Sequence, residues 1–422
     1  MQGWRRARRC RRNANCTTFE PSTGGHALTS AGNVVVAGAG IGGLTAALAL
    51  RRNGFRVIVL EQAQRLEEAG AGIQLSPNAS RLLIELGLEQ RLRGAAVEPT
   101  ALRVLNAASG REIVRMPLAG AALRYGAPYW MIHRADLQEA LAEAAARDVD
   151  ITIRLGVRVE DFETHANGLS ISTRGGVVSE RCTALLGADG LWSTLRQCLG
   201  HREPPRFTGR IAWRGLMPAR EVIPEFREPV VHLWLGSDAH LVHYPVKGGA
   251  VINVVLITAD AGKNASPSAQ PSVDAIPQLA ADAWALPARA LIGRCENWLQ
   301  WGLYDRRPIR RWSRGPVALL GDAAHPMLPF LAQGAAMAIE DAAVAARCLA
   351  RAPDDPAGAL RTYCAIRRGR TGRVQRVAAR NGARYHMSGA GAFARDAFMR
   401  AAGGERLLRN YNWIYDWRPP AI

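Results

Sequence analysis

Two hydrophobic rhythms alternate along the chain. Val34–Ala37 is a short unbroken apolar run, the pattern of a strand buried on both faces, and Arg56–Leu60 repeats it with β-branched residues. Between them a glycine-rich turn leads into Leu44–Arg52, apolar on nearly every side, which predicts a buried helix ended at Gly54. The three pieces make a strand–helix–strand unit of ~30 residues. Ala, Leu and Glu favour further helices over Asn78–Leu86, Arg134–Arg147 and Ala335–Arg351. Elsewhere Val, Ile, Trp and Tyr predict strands over Leu102–Leu105, Gly168–Ser172, Arg210–Leu216, Val230–Leu235, His240–Pro245 and Val251–Thr258, with a turn at Lys247-Gly248-Gly249. Such meanders between α/β segments predict a second, mainly antiparallel sheet inserted into the first domain. Ala259–Ile276 has loop composition, and the end of the chain is helical with an aromatic cluster at Tyr411, Trp413, Tyr415 and Trp417. Trp213 and Trp234 are expected to fill the core of the second sheet.

Composition narrows the class. Of 422 residues 48% are hydrophobic and 21% charged, the balance of a folded protein. The net charge of +18 would suit nucleic acid or an anionic membrane. Only Lys247 and Lys263 are lysines, however, and an arginine excess in an Ala- and Gly-rich chain reads as codon bias, so no nucleic-acid partner is expected. The seven cysteines are scattered and never spaced CxxC, which indicates neither a disulfide framework nor a metal site and fits a cytoplasmic protein. Asn33–Leu50 is uncharged, but Gly38, Gly40, Gly42 and Gly43 make it a strand–turn–helix rather than a membrane span. Residues 1–32 carry six arginines in the first twelve positions with no apolar run behind them, and are expected to be a disordered extension.

Three motifs carry chemistry. Gly38-Ala39-Gly40-Ile41-Gly42-Gly43 has the GxGxxG form between a strand and a helix, where free N–H groups and the helix dipole favour a dinucleotide pyrophosphate. Glu61, at the end of the second strand, stands where a carboxylate accepts ribose hydroxyls. The second motif is Gly187-Ala188-Asp189-Gly190, whose aspartate suits either a phosphate-side loop or a simple helix cap. The third, Gly321-Asp322-Ala323-Ala324-His325-Pro326, leads to Gln333-Gly334 opening a helix that contains Glu340-Asp341.

GAGIGG, GADG and GDAAHPMLPFLAQGAAMAIEDA in this order resemble the single-component FAD-dependent aromatic hydroxylases, flavoprotein monooxygenases that include salicylate and hydroxybenzoate hydroxylases. The likeness runs from about Asn33 to the C-terminus. It implies an α/β fold: a Rossmann-like FAD-binding domain (33–97, 130–204 and 284–370), an inserted mainly antiparallel β-sheet substrate domain (98–129 and 205–283) and a helical C-terminal segment (371–422). It also implies that Gly38, Gly40 and Gly43 hold the FAD pyrophosphate and Glu61 the adenosine ribose, with Arg134 beside the flavin. By the same likeness Asp189 lies near the pyrophosphate, with a secondary part in NAD(P)H binding, and Asp322 holds the ribityl chain. Gly72, Ile73, Gln74 and the loop from Pro326 through Gln333 to Gly334 border the ring. The implied reaction uses NADH or NADPH as a transient reductant and O2, forms a flavin C(4a)-hydroperoxide, and hydroxylates a small aromatic acid or phenol, with or without decarboxylation, in a monomer or homodimer. A flavin oxidase or dehydrogenase on the same fold, and a flavin-binding regulator without turnover, stand as alternatives.

Phenols react best as phenolates, so a base is expected in the pocket. Side chains alternate along His240–Pro245: His240 and Tyr244 share one face, ~13 Å apart by the rise of a strand, and His243 faces the other way. Histidine is the better proton acceptor at neutral pH, so His240 is the expected base and Tyr244 a substrate contact, with His243 as the base if the faces are reversed. His325, inside the third motif, is expected to pack rather than react.

Overall fold

The computed structural model describes residues 32–66, 71–165, 168–174, 176–260 and 284–422. The first strand, β1 (Asn33–Ala37), runs parallel to β2 (Arg56–Glu61), and the helix Ile41–Arg52 between them starts at Gly40, within the glycine turn. A strand pair β3 (Gly72–Leu75) and β6 (Trp130–His133) stands apart as a small antiparallel sheet. Between these two in sequence, β4 (Ala101–Asn106) and β5 (Glu112–Pro117) join the second sheet. The first sheet is completed by β7 (Ile151–Leu155), β8 (Val159–His165), β9 (Gly168–Thr173), β10 (Gly176–Gly187), β16 (Ser313–Arg314) and β17 (Val317–Leu319). Its main path is β16-β17-β10-β1-β2-β7, parallel from β17 to β7, with β9 added antiparallel on β10 and β8 antiparallel on β9. Unbroken Val, Ile and Leu runs in β1, β2 and β17 are buried because helices cover such a sheet.

The second sheet has the order β15-β11-β14-β13-β12-β4-β5, with β11 (Arg206–Pro218), β12 (Val230–Leu235), β13 (His240–Val246), β14 (Val251–Ala259) and β15 (Leu299–Asp305). It is antiparallel except for β12 and β4. Trp213 and Trp234 do lie in its core, though β14 and β13 separate their strands. Two expected boundaries shift. The helix Leu286–Arg294 and β15 belong to the second sheet because Trp284, Leu291, Ile292 and Trp298 pack with Trp213 and Leu256, so the first sheet resumes at β16 and not at residue 284. The helix Pro356–Tyr385, capped where Asp355 accepts from the Gly358 N–H at 2.8 Å, continues unbroken through the boundary expected at residue 370. The expectations for residues 1–31 and for most of the 259–276 loop lie outside the described residues. Among the described residues no helix is long and apolar enough to cross a membrane.

A buried ionic network clamps the helix Gly334–Arg351 to Pro356–Tyr385. Arg367, fully buried, donates to Asp341 at 2.7 Å and to Glu340 at 2.6 Å, and Arg370 adds two bonds to Glu340 at 2.6 and 2.7 Å. The two guanidinium groups lie over the Trp417 ring, 4.9 and 4.7 Å from its centroid. Removing one partner leaves uncompensated buried charge, a loss of about 3–5 kcal/mol. Arg367→Ala should therefore lower the unfolding free energy by about that amount in urea titration, against less than 1 kcal/mol for exposed Arg361→Ala; equal effects would contradict a structural role for the network.

Candidate active site

A cavity of about 340 Å³ lies where the glycine turn, the 321–334 loop, β3 and the second sheet meet. Gly40 caps the helix Ile41–Arg52, whose first turn holds no acidic residue, so its free N–H groups are open to an anion. A side chain at Gly40 would meet nothing within 4 Å, whereas one at Gly43 would sit 1.8 Å from the Gly38 carbonyl oxygen and one at Gly38 2.4 Å from that of Ala188. Gly38 and Gly43 thus serve the close packing of turn, helix and sheet, while Gly40 leaves a cradle. Glu61 accepts from the Ala39 N–H at 2.7 Å and the Ala63 N–H at 2.8 Å, which fixes its carboxylate beside the turn.

The loop after β17 supplies the opposite wall. Asp322 is exposed to the cavity but enclosed by protein on its other sides; this desolvation raises its carboxyl pKa against the pull of His325 and Arg134. Arg134, Gly72, Ile73, Gln74, Gln333 and Gly334 also line the cavity. Pro326 does not line it; its carbonyl accepts from Gln375 at 2.9 Å. Ala332, also on the wall, holds φ +50°, a left-handed conformation that costs a non-glycine residue about 1 kcal/mol or more. Gln333 holds the loop through Ser76 (2.8 Å) and Asn78 (3.2 Å), and Asn78 donates to Glu340 at 2.7 Å. His325 is buried with Nε2 2.5 Å from Asp341, a packing residue as expected. Asp189 accepts from the Ser193 hydroxyl at 2.6 Å and the Leu195 N–H at 3.0 Å, so it bonds into the first turn of the helix Thr194–Cys198, whose N-cap is Ser193, while Ala188 and Gly190 on either side of it line the cavity.

The second sheet closes the site. His240, Val242 and Tyr244 of β13 face the cavity together, as their alternation predicts. Register places Ala212 and Ile257 in the row of His240, Arg214 and Val255 in the row of Val242, and Leu216 and Asn253 in the row of Tyr244. Arg214, which sequence reasoning missed, therefore lines the cavity two strands from Val242, roughly 10 Å away by strand spacing. The strand also carries Arg206 and Arg210, so charge alone did not single Arg214 out. Burial pushes the Tyr244 phenol upward, opposed by Arg214 and Gln74. Gly72 is required on the facing strand: its N–H donates to Asn253 at 2.6 Å, and a side chain there would meet Asn253 and Tyr244 at 2.6–2.8 Å.

His243, the alternative base, does not reach the cavity. It lies on the other face, stacked on His232 at 4.4 Å and against Phe226 at 4.4 Å. Burial drives its pKa well below the ordinary value and that of His232 to about 3. Both histidines fold neutral, so their contribution is intact above the unfolded pKa of ~6.5 and is lost as pH falls from there toward the folded values, by up to ~1.4 kcal/mol per pH unit for each. The urea midpoint should fall between pH 7.5 and 5, and less in His232→Gln/His243→Gln; a midpoint independent of pH would contradict this burial.

The model of the FAD binding domain family matches residues 32–378. The chain is 39% identical over 386 residues to 3-hydroxybenzoate 6-hydroxylase 1 of Aquipseudomonas alcaligenes, covering 91% of this chain and 97% of that protein. It is 37% identical over 406 residues to a 3-amino-4-hydroxybenzoate 2-monooxygenase of Streptomyces platensis, covering 94% and 99%. Among solved structures, Klebsiella pneumoniae HpxO complexed with FAD and uric acid aligns with TM-score 0.80 and 27% identity over 90% of this chain and 95% of that one. A salicylate hydroxylase substrate complex aligns with TM-score 0.76 and 27% identity over 92% and 96%.

The residues present fit FAD: an open cradle at Gly40, the fixed carboxylate of Glu61 and a cavity with Asp322 and Arg134 on its wall. Gly40→Val enters free space, so the apoprotein should melt as before while FAD binding is lost; retained FAD affinity in fluorescence titration would refute the cradle. With the glycine turn, the cavity, the matching family model and relatives aligned along almost the whole chain, the protein belongs to the FAD binding domain family and is one of its FAD-dependent aromatic hydroxylases.

Proposed function

We propose that the protein hydroxylates a small hydroxylated aromatic acid with NAD(P)H and O2, its carboxylate held by Arg214 and its hydroxyl presented to His240. The observation that carries this reading is that one cavity is bordered by the Gly40 cradle and Asp322 on one side and by His240, Tyr244 and Arg214 on the other. Bound FAD, once reduced, supplies an electrophilic oxygen from O2. The chain's own part is to bind, orient and deprotonate. Val242, Val255, Ile257 and Met327 keep the ring in apolar surroundings that exclude water. Arg214 gives the site a cation that matches a carboxylate. His240, neutral because burial holds its pKa well below the ordinary value, has Nδ1 engaged by His386 at 2.7 Å and leaves Nε2 for the substrate's hydroxyl proton. Tyr244, kept protonated by burial, donates to a polar group of the ring rather than serving as base. The names of the two hydroxybenzoate-acting relatives support this substrate class.

The test is oxygen uptake with NADH or NADPH and a panel of 3-hydroxybenzoate, 3-amino-4-hydroxybenzoate, salicylate and unsubstituted phenol. Substrate-dependent uptake matched by hydroxylated product supports the reading. Turnover without NAD(P)H supports an oxidase instead, and tight FAD with no turnover a binding protein. His240→Gln should slow hydroxylation by roughly a hundredfold, the scale of general-base loss, and divert NAD(P)H oxidation to H2O2. Arg214→Gln should raise KM for the acids by about tenfold or more, as for a lost charged hydrogen bond, and leave KM for phenol nearly unchanged; equal effects on acids and phenol would refute its role as the carboxylate partner.

A further inference from the structure

We propose, building on His240 as acceptor of the substrate's hydroxyl proton, that His386 is the second carrier of that proton and conducts it from the cavity to solvent. His386 follows the helix Pro356–Tyr385, far from β13 in sequence, and its Nε2 lies 2.7 Å from His240 Nδ1. Two bare nitrogens at that distance repel, so one proton lies between them and ties the tautomers of the two rings together. With that proton on His240 Nδ1, His240 Nε2 is bare toward the cavity and His386 carries its own proton on Nδ1. Both rings are buried, His240 at 2% and His386 at 8% exposure, with His386 the one nearer the exposed Asp238 turn. At the outer end the Asp238 N–H lies 3.5 Å from the His386 carbonyl oxygen, and the Asp238 side chain is 73% exposed.

The packing around the pair keeps this geometry. Phe330 stands against both rings, 5.5 Å from His240 and 5.7 Å from His386, and Tyr385 lies 5.4 Å from His240. Phe330 is itself seated on Gly382, where a side chain would come within 2.6 Å of its ring. The charged groups facing the pair are Arg210 of β11, Arg395 of the helix Gly389–Ala402 and Asp238 of the turn before β13. Burial, with Arg210 and Arg395 adding to it and Asp238 opposing, holds the His386 pKa down to about 4. A carrier with so low a pKa passes a proton on and does not store it.

The transfer balances. The substrate's O–H proton goes to His240 Nε2 as the Nδ1 proton of His240 moves to His386 Nε2 and the Nδ1 proton of His386 leaves to water. Both rings end neutral in the opposite tautomer, and the substrate oxygen keeps the electron pair as a phenolate. Reprotonation of the product phenol runs the same path backward and resets the rings. The low pKa of His240 then sets no limit on phenol ionisation, because solvent takes the proton and the cationic field of Arg214 and Arg134 steadies the anion.

The test mixes oxidised FAD-loaded enzyme with 3-hydroxybenzoate, and separately with 3-amino-4-hydroxybenzoate, in weak buffer with a pH indicator under stopped flow. The unaltered enzyme should release a proton to bulk together with the phenolate absorbance change. His386→Gln, whose amide cannot relay a proton, should slow both by at least tenfold while the dissociation constant of benzoate, which has no hydroxyl, and the bound-FAD spectrum stay within twofold of the unaltered enzyme. His386→Ala should behave likewise and regain its rate with added imidazole, a rescue that a merely structural role would not show. Proton release at the unaltered rate in His386→Gln, or no imidazole rescue, overturns the relay. Unaltered release in His240→Gln overturns instead the assignment of His240 as the first acceptor, and no release from the unaltered enzyme with either acid overturns both.

Discussion

The site depends on charge buried in the middle of the helix Gly334–Arg351. Glu340 and Asp341 are completely enclosed, and each would be untenable there without the guanidinium groups of Arg367 and Arg370. Their remaining lone pairs reach outward. Asp341 accepts from the Gly321 N–H at 2.9 Å and engages His325, while Glu340 takes the amide of Asn78. The loop bearing Asp322 and the strand–helix junction bearing Ser76 and Asn78 are thereby held to one ionic centre, and Arg370 carries the hold on to the carbonyls of Trp413 and Ile414. Burial would raise the Asp341 carboxyl, but the charges of His325 and Arg367 prevail and keep it below the ordinary range.

Around this anchor the two sheets take separate tasks. The parallel sheet and its first helix present backbone N–H groups and fixed carboxylates, which suit a phosphate-bearing cofactor. The second sheet presents a row of side chains whose chemistry differs every two residues: a histidine, an apolar position flanked by an arginine, and a tyrosine. Gly72 lets β3 press against that sheet at Asn253 and Tyr244, so the glycine turn and the second sheet border one cavity.

Much of this was legible in the sequence. Unbroken apolar runs fixed β1 and β2, the glycines located the turn, and alternation in β13 separated His240 and Tyr244 from His243. The misses have physical reasons. β3 and β6 are four-residue strands in a sheet of two, too short for a periodic signal. The helix Leu286–Arg294 and β15 carry no mark of which sheet they join, because an apolar face reads the same against either. Asp189 is engaged by the Ser193 hydroxyl and the Leu195 N–H, a local competition that spacing cannot rank. Arg214 and His386 matter only through long-range register and packing, and one chain's sequence holds no record of those partners.

The central claim is that one cavity holds both the FAD ring and the reacting aromatic acid, with His240 at the hydroxyl. A crystal structure of the FAD-loaded enzyme soaked with 3-hydroxybenzoate tests it most directly. The account predicts the flavin ring along Gly72, Ile73 and Gln333, the substrate hydroxyl within hydrogen-bond reach of His240 Nε2, and the carboxylate on Arg214. A substrate bound away from β13, or a flavin ring outside this cavity, would contradict it.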